Sequence, residues 1–182
     1  MKMKKYLFLL TAIFSIMFMT GCDELEDFTV NVPFAVAFTD STNSTETFDN
    51  EVYDLADNSV YQEYQEKIED FEFLEARYNV KETLPDTLTG TMTFTVNKND
   101  SLGEEIFSQV FPNVKVYKDA TDMLVLTQAQ IQMFNAYLLN MYANAGTTKF
   151  YGEAVVSGLA DDGSLKKIVV ELHLLLKAKG KL

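Results

Sequence analysis

From Phe28 onward, apolar and polar residues alternate with a period of two. Phe28, Val30, Val32, Phe34, Val36 and Phe38 fall on one side of an extended segment, which predicts a strand with one buried face. Asp40 to Asn50 is a cluster of Ser, Thr, Asn and Asp and predicts a loop. Glu69 to Lys81 reads as a strand whose apolar parity shifts between Phe73 and Leu74, as a β-bulge would produce. The clearest half-buried strand sets Leu88, Gly90, Met92, Phe94 and Val96 between Thr89, Thr91, Thr93 and Thr95. After a turn at Asn97–Gly103, a further strand covers about Glu105 to Lys118 and is interrupted at Pro112. Lys149–Leu159 and Leu165–Lys179 flank Asp161-Asp162-Gly163, which predicts a hairpin. Ile168, Val170, Leu172, Leu174 and Leu176 form the apolar face of the last strand.

Two segments change to a helical period. Ser59 followed by Gln62 resembles a capping box, and Val60, Tyr64 and Ile68 recur every fourth residue, predicting a short helix at about 59–67. Thr127 with Gln130 is a second box. It opens a helix at 128–143 with Ile131, Phe134, Leu138 and Met141 on one face and left-handed cap residues at Asn144-Ala145-Gly146. Strands outnumber helices and hairpins outnumber crossovers. The expected class is mainly β within α+β: an antiparallel sheet or β-sandwich with two covering helices, one domain over 28–182.

The N-terminal segment follows a different logic. Lys2, Lys4 and Lys5 precede an apolar run from Tyr6 to Met19, too short for a comfortable membrane span and suited to the core of a signal peptide. Met19-Thr20-Gly21-Cys22 follows, and it resembles the lipobox of bacterial lipoproteins, with Met19 where an aliphatic residue is usual. The resemblance implies that residues 1–21 are a signal peptide and that Cys22, the single cysteine of the chain, becomes a first residue carrying diacylglycerol and palmitate-type chains. Each buried methylene contributes ~0.8 kcal/mol, so two or three chains on one residue would anchor it stably. Residues 22–27 then form an acidic tether, Asp23-Glu24-Leu25-Glu26-Asp27. That tract is similar to the signal by which some gut-type Gram-negative bacteria send lipoproteins to the cell surface. The enteric scheme instead reads Asp after the cysteine as inner-membrane retention. The expectation is an outer-membrane, lipid-anchored location on the surface side, with the periplasmic face as the alternative.

Charge narrows the partners. The chain carries 27 acids against 15 bases, a net charge of −12, and loss of the three N-terminal lysines leaves 12 bases and a net −15. Residues 22–105 hold 21 of the acids and 4 bases, whereas 106–182 hold 6 acids and 8 bases. Such a surface repels nucleic acid and anionic lipid heads.

Candidate chemistry is sparse. His173, the single histidine, lies mid-strand on the mixed face with Glu171 and Leu175. No nucleophile elbow, phosphate loop or dinucleotide fingerprint occurs, and no free thiol would remain after lipidation. Zinc ligands are missing. Asn97, Asn99 and Ser101 suggest a calcium loop, but Leu102 stands in place of the required Gly and Ser108 in place of the closing Glu. Carboxylate pairs such as Glu69/Asp70, Glu104/Glu105 and Asp119/Asp122 are expected by accident among 27 acids. No catalytic residue, cofactor or metal site is therefore assigned. Asp40-Ser41-Thr42, Asp86-Thr87-Leu88 and Asp100-Ser101-Leu102 are similar to an O-glycosylation sequon used by the same gut-type bacteria, making Ser41, Thr87 and Ser101 candidate acceptors. Such triplets also make good turns. The functional expectation is a non-enzymatic surface lipoprotein in binding, adhesion or assembly, with the membrane as partner through Cys22 and a protein or glycan beyond it. The alternative is a periplasm-facing carrier or chaperone for a hydrophobic ligand, with a hydrolase third.

Overall fold

The structure, a computed structural model, describes residues 27–144 and 148–181. The expected signal peptide, Cys22 and all of the expected tether except Asp27 lie outside the described residues. Eight strands and two helices follow in the order β1 (Asp27–Thr42), β2 (Glu46–Asp54), α1 (Ser59–Tyr64), β3 (Ile68–Leu84), β4 (Thr87–Lys98), β5 (Glu105–Tyr117), β6 (Thr121–Met123), α2 (Gln128–Ala143), β7 (Lys149–Ser157) and β8 (Lys166–Lys181). The strands form two four-stranded antiparallel sheets, ordered β1-β8-β3-β6 and β2-β7-β4-β5. Two interleaved Greek keys with this order make a jelly roll. The expected antiparallel β-sandwich with two helices is what the chain forms.

Connectivity departs from expectation. β7 lies between β2 and β4, while β8 lies between β1 and β3, so the segment 158–165 carries the chain from one sheet to the other and closes no hairpin. Among the described strands, β4–β5 is the one pairing of consecutive strands. The alternation in each strand reports a buried face, and a partner in the facing sheet satisfies that as well as a sheet neighbour does. Asp40 to Asn50 is likewise extended except at Asn43–Thr45. Its polar residues are tolerated because β1 and β2 are edge strands. Two carboxylates there replace ladder partners: Thr39 N donates to Asp49 Oδ2 at 2.5 Å, and Phe48 N donates to Asp40 Oδ2 at 2.8 Å.

Smaller features resolve similarly. The cap of α1 is Asn58, whose Oδ1 accepts from Tyr61 N at 3.0 Å; Ser59 is the first helical residue, and the helix stops at Tyr64. In α2 the box is formed as expected, with Thr127 Oγ1 accepting from Gln130 N and Gln130 Oε1 accepting from Thr127 N. Asn144 ends it at φ −132°, outside the left-handed region, and Ala145 and Gly146 lie outside the described residues. The parity shift at Phe73/Leu74 is a register shift against β8 between Phe73 and Glu75, and it leaves Leu74 exposed. Pro112 marks another: Met92 pairs with Phe111 but Gly90 pairs with Val114, so Pro112 and Asn113 bulge, Asn113 at φ 54°.

Met92, Phe94, Val96, Val170, Leu172 and Leu174 are all buried. Between the sheets Tyr78 stacks on Phe94 at 5.6 Å between centroids and meets Phe111 edge-on at 5.1 Å. Under α2, Phe134 stacks on Phe150 at 5.0 Å and meets Phe73 edge-on at 5.2 Å. These rings fill the space between the two sheets and under α2. At the β1–β2 edge the free space amounts to about 20 Å³.

Candidate functional site

The polar residues with most mutual organisation lie on the outer face of the β1-β8-β3-β6 sheet. Alternation along β8 sends Ile168, Val170, Leu172, Leu174 and Leu176 into the core and places Lys167, Glu171, His173, Lys177 and Lys179 on the outer face. The register with β3 sets Arg77 opposite His173 and Asn79 opposite Glu171. Beside His173 is a hollow of about 90 Å³, lined by Pro33, Glu75, Arg77 and Leu175 among others.

Each charge there finds a neighbour. Lys81 Nζ lies 3.0 Å from Glu171 Oε2, and His173 Nε2 lies 2.9 Å from the same oxygen. That nitrogen is sealed from solvent and makes no aligned hydrogen bond, so the contact is one of proximity rather than a formed bond. Arg77 Nε reaches Glu75 at 3.5 Å. Lys179 Nζ bonds Glu72 Oε2 at 2.9 Å, which holds the Glu72 carboxyl below its ordinary range and raises Lys179. Lys167 pairs with Glu82 at 2.9 Å and Lys181 with Glu69 at 3.6 Å. Chemically this is a ladder of partly exposed ion pairs between β3 and β8. Each such pair contributes little on its own, roughly 0–1 kcal/mol, but together they fix the register of two long strands. Nothing in it supplies an activated nucleophile.

The other candidates are dispersed. Ser41 near the end of β1, Thr87 at the start of β4 and Ser101 in the β4–β5 turn are all exposed, and they lie apart in the fold. In two of the three triplets the Asp is engaged locally. Asp40 accepts from Ser41 N at 2.7 Å, and Asp100 accepts from Leu102 N at 2.8 Å. Asn99 of the calcium-like loop sits at φ 62° with Oδ1 accepting from Tyr137 Oη at 3.0 Å, which ties the turn to α2. Among the described residues no group of three or more His, Cys, Asp or Glu could hold a metal ion. Glu104 is paired with Lys98 at 2.6 Å, leaving no convergent carboxylate pair there.

Sequence reasoning missed Lys166. It is buried at the start of β8, with Nζ donating to Asp162 Oδ1 at 2.9 Å and Ser164 O at 3.1 Å. The signal was available: Lys166 has the parity of Ile168 and Val170, a lysine on the inner face. The Ser164 hydroxyl, then Lys166, hold the Asp162 carboxyl well below the usual carboxylate range. A depressed acid contributes stability that is present above its unfolded value, about pH 4, and is lost as pH falls toward the folded value. Urea melts should therefore show Asp162→Asn destabilised against the parent at pH 7, with the gap narrowing at pH 3. A gap that widens on acidification would reject the pairing.

No family model matches the chain, and no curated protein matches it. Among solved structures the chain is similar to viral proteins. It is similar to the decameric BFDV capsid protein at a TM-score of 0.44 and 11% identity, covering 84% of this chain and 99% of that one. It is similar to the mud crab tombus-like virus protein at 0.44 and 9%, covering 90% and 86%, and to the Triatoma virus empty capsid at 0.44 and 11%, covering 82% and 91%. At these identities the likeness is one of fold alone. Against these viral neighbours the expectations of an outer-membrane, cell-surface or periplasm-facing location and of the membrane as partner are corrected. So is that of a surface lipoprotein in binding, adhesion or assembly. The carrier alternative is corrected with it. What the comparisons leave is a jelly-roll sandwich whose solved neighbours are viral capsid proteins.

Proposed function

We propose that the described sandwich is a non-catalytic structural domain. The observation that carries this reading is the outer-face ladder: Glu171 pairs with Lys81 across the strands and lies against the single histidine, and the single arginine pairs with Glu75 on its own strand, on two strands whose other faces build the core. A catalytic site would need an activated nucleophile or an acid–base pair, and these pairings supply neither. Assays of the purified protein with chromogenic ester, glycoside and phosphate substrates test it. Turnover lost in His173→Ala or Glu171→Gln would overturn the reading.

A second proposal concerns residues outside the sandwich and rests on Met19-Thr20-Gly21-Cys22 alone. The chain is cut before Cys22 and acquires lipid on that residue, with Ser41, Thr87 and Ser101 as acceptors for further covalent groups. Intact-mass analysis of the protein from a bacterial host reads both at once. The expected mass is that of residues 22–182 plus diacylglyceryl and acyl groups, reverting to unprocessed precursor in Cys22→Ala. A chain beginning at any other residue would reject the processing site, and a mass of polypeptide plus lipid alone would reduce the three triplets to turns.

A further inference from the structure

The outer edge of β1 carries a feature that neither proposal uses. β1 pairs with β8 on one side only. Groups pointing the other way are identified by what takes them. Thr39 N donates to Asp49, Ser41 N to Asp40, and Pro33 O accepts from Asn58 Nδ2 at 2.8 Å. Odd-numbered residues of β1 therefore turn their backbone groups outward. Pro33, with no N–H to offer, sits where the ladder needs none. By the same period, Ala35 and Ala37 present their N–H and C=O outward, both are exposed, and no described group caps them. Their methyl side chains leave the edge unobstructed.

Directly inside that edge is an apolar cleft between the sheets, lined by Phe34, Val36, Phe38, Tyr53 and Leu172, with Glu51 at its rim and about 20 Å³ free. That is room for one small apolar group. β1 and β2 themselves carry charge of one sign, while β8 behind β1 sets Lys177, His173 and Lys167 opposite Asn31, Ala35 and Ser41. Residues 27–57 contain seven acids, Asp27, Asp40, Glu46, Asp49, Glu51, Asp54 and Asp57, and no Lys, Arg or His. Among the described residues, Asp54 alone of the seven has a cation paired with it, Lys149 Nζ at 3.9 Å.

We infer that the Ala35–Ala37 edge of β1 is a docking site for an extended, cationic peptide. Such a peptide adds a short strand to the sheet, places one small apolar side chain over the cleft, and sets lysines or arginines against the acidic rim. A second copy of this chain is disfavoured as occupant, because two such acidic edges would repel each other. The free run is short, so backbone hydrogen bonding is confined to two residues and the charge supplies much of the attraction. The inference is independent of any activity and of the state of Cys22.

The test uses the purified full-length protein and a fluorescein-labelled heptapeptide, Lys-Thr-Val-Ala-Val-Thr-Lys, with a twin in which Glu replaces both lysines. Fluorescence anisotropy should show saturable binding of the lysine peptide, at least tenfold tighter than the glutamate twin and weakening as salt rises. Glu51→Lys, at an exposed position, should weaken binding severalfold, and Ala37→Pro, which deletes one outward N–H, tenfold or more. Amide hydrogen exchange on the unmodified protein gives a readout that no folding defect can confound: Ala35 and Ala37 should become protected when peptide is added. Equal binding of the two peptides, no new protection at Ala35 and Ala37, or dimerisation through this edge in sedimentation would overturn the inference.

Discussion

Replacing Phe94 with alanine should lower the stability of this protein by about 3–5 kcal/mol, the range for removing a fully enclosed aromatic ring. Phe94 is completely buried at the middle of β4. Its ring stacks on Tyr78 at 5.6 Å and lies 6.3 Å from Phe38 and 6.4 Å from Phe111, so it joins side chains of β1, β3 and β5 through one contact centre. These rings come from both sheets. The neighbours are held by their own strands and cannot collapse into the vacancy, which puts the cost toward the upper end. Thr93→Ala, one residue away on the outer face and half-buried, should cost well under 1 kcal/mol, as surface substitutions do. Urea melts with unchanged slopes check both values. Equal losses at positions 93 and 94 would mean that the assigned face of β4 is wrong.

Gly180→Ala should be among the most damaging changes that add only a methyl group. A Cβ at position 180 would fall 1.8 Å from Lys67 O and 2.6 Å from Phe28 Cε1. The carbonyl is backbone and already accepts from Lys181 N at 3.1 Å, so it cannot move without giving up that bond. Gly180 is also where three strands meet, pairing with Phe28 of β1 and Ile68 of β3. Overpacking of this kind costs roughly 1–3 kcal/mol, and here it should also release the strand ends. The expected result is a lower urea midpoint together with faster amide exchange at residues 27–30 and 178–181. Unchanged exchange at those positions would show that the strand ends absorb the methyl group.

Much of this architecture could be read from alternation alone. Period-two patterns located most strands, the bulge beside Leu74 and the six core positions of β4 and β8, because a buried face leaves the same trace wherever its cover comes from. For that reason the pattern could not assign strands to sheets, and Asp161-Asp162-Gly163 reads as a hairpin turn although it links the two sheets. The stretch 40–50 was misread because its polar residues satisfy edge backbone groups through Asp40 and Asp49, a tertiary arrangement with no local signature. β6, three exposed residues long, has no periodic pattern to find. The surface ladder was invisible for a related reason: which acid meets which lysine depends on the β3–β8 register. Lys166 was the exception, legible by parity and overlooked.

The strand order also governs how this chain can fold. Pairing of β1 with β8 joins the first described strand to the last, and most other pairings also close long loops. Folds dominated by such distant contacts reach the native state in milliseconds to seconds rather than microseconds. The β4–β5 hairpin, closed by the turn that Asn99 and Tyr137 secure, is the one strand pair that can form early and locally. Without β8 between β1 and β3, its apolar face from Ile168 to Leu176 has no cover, so partly folded forms that lack this insertion are the ones most exposed to aggregation.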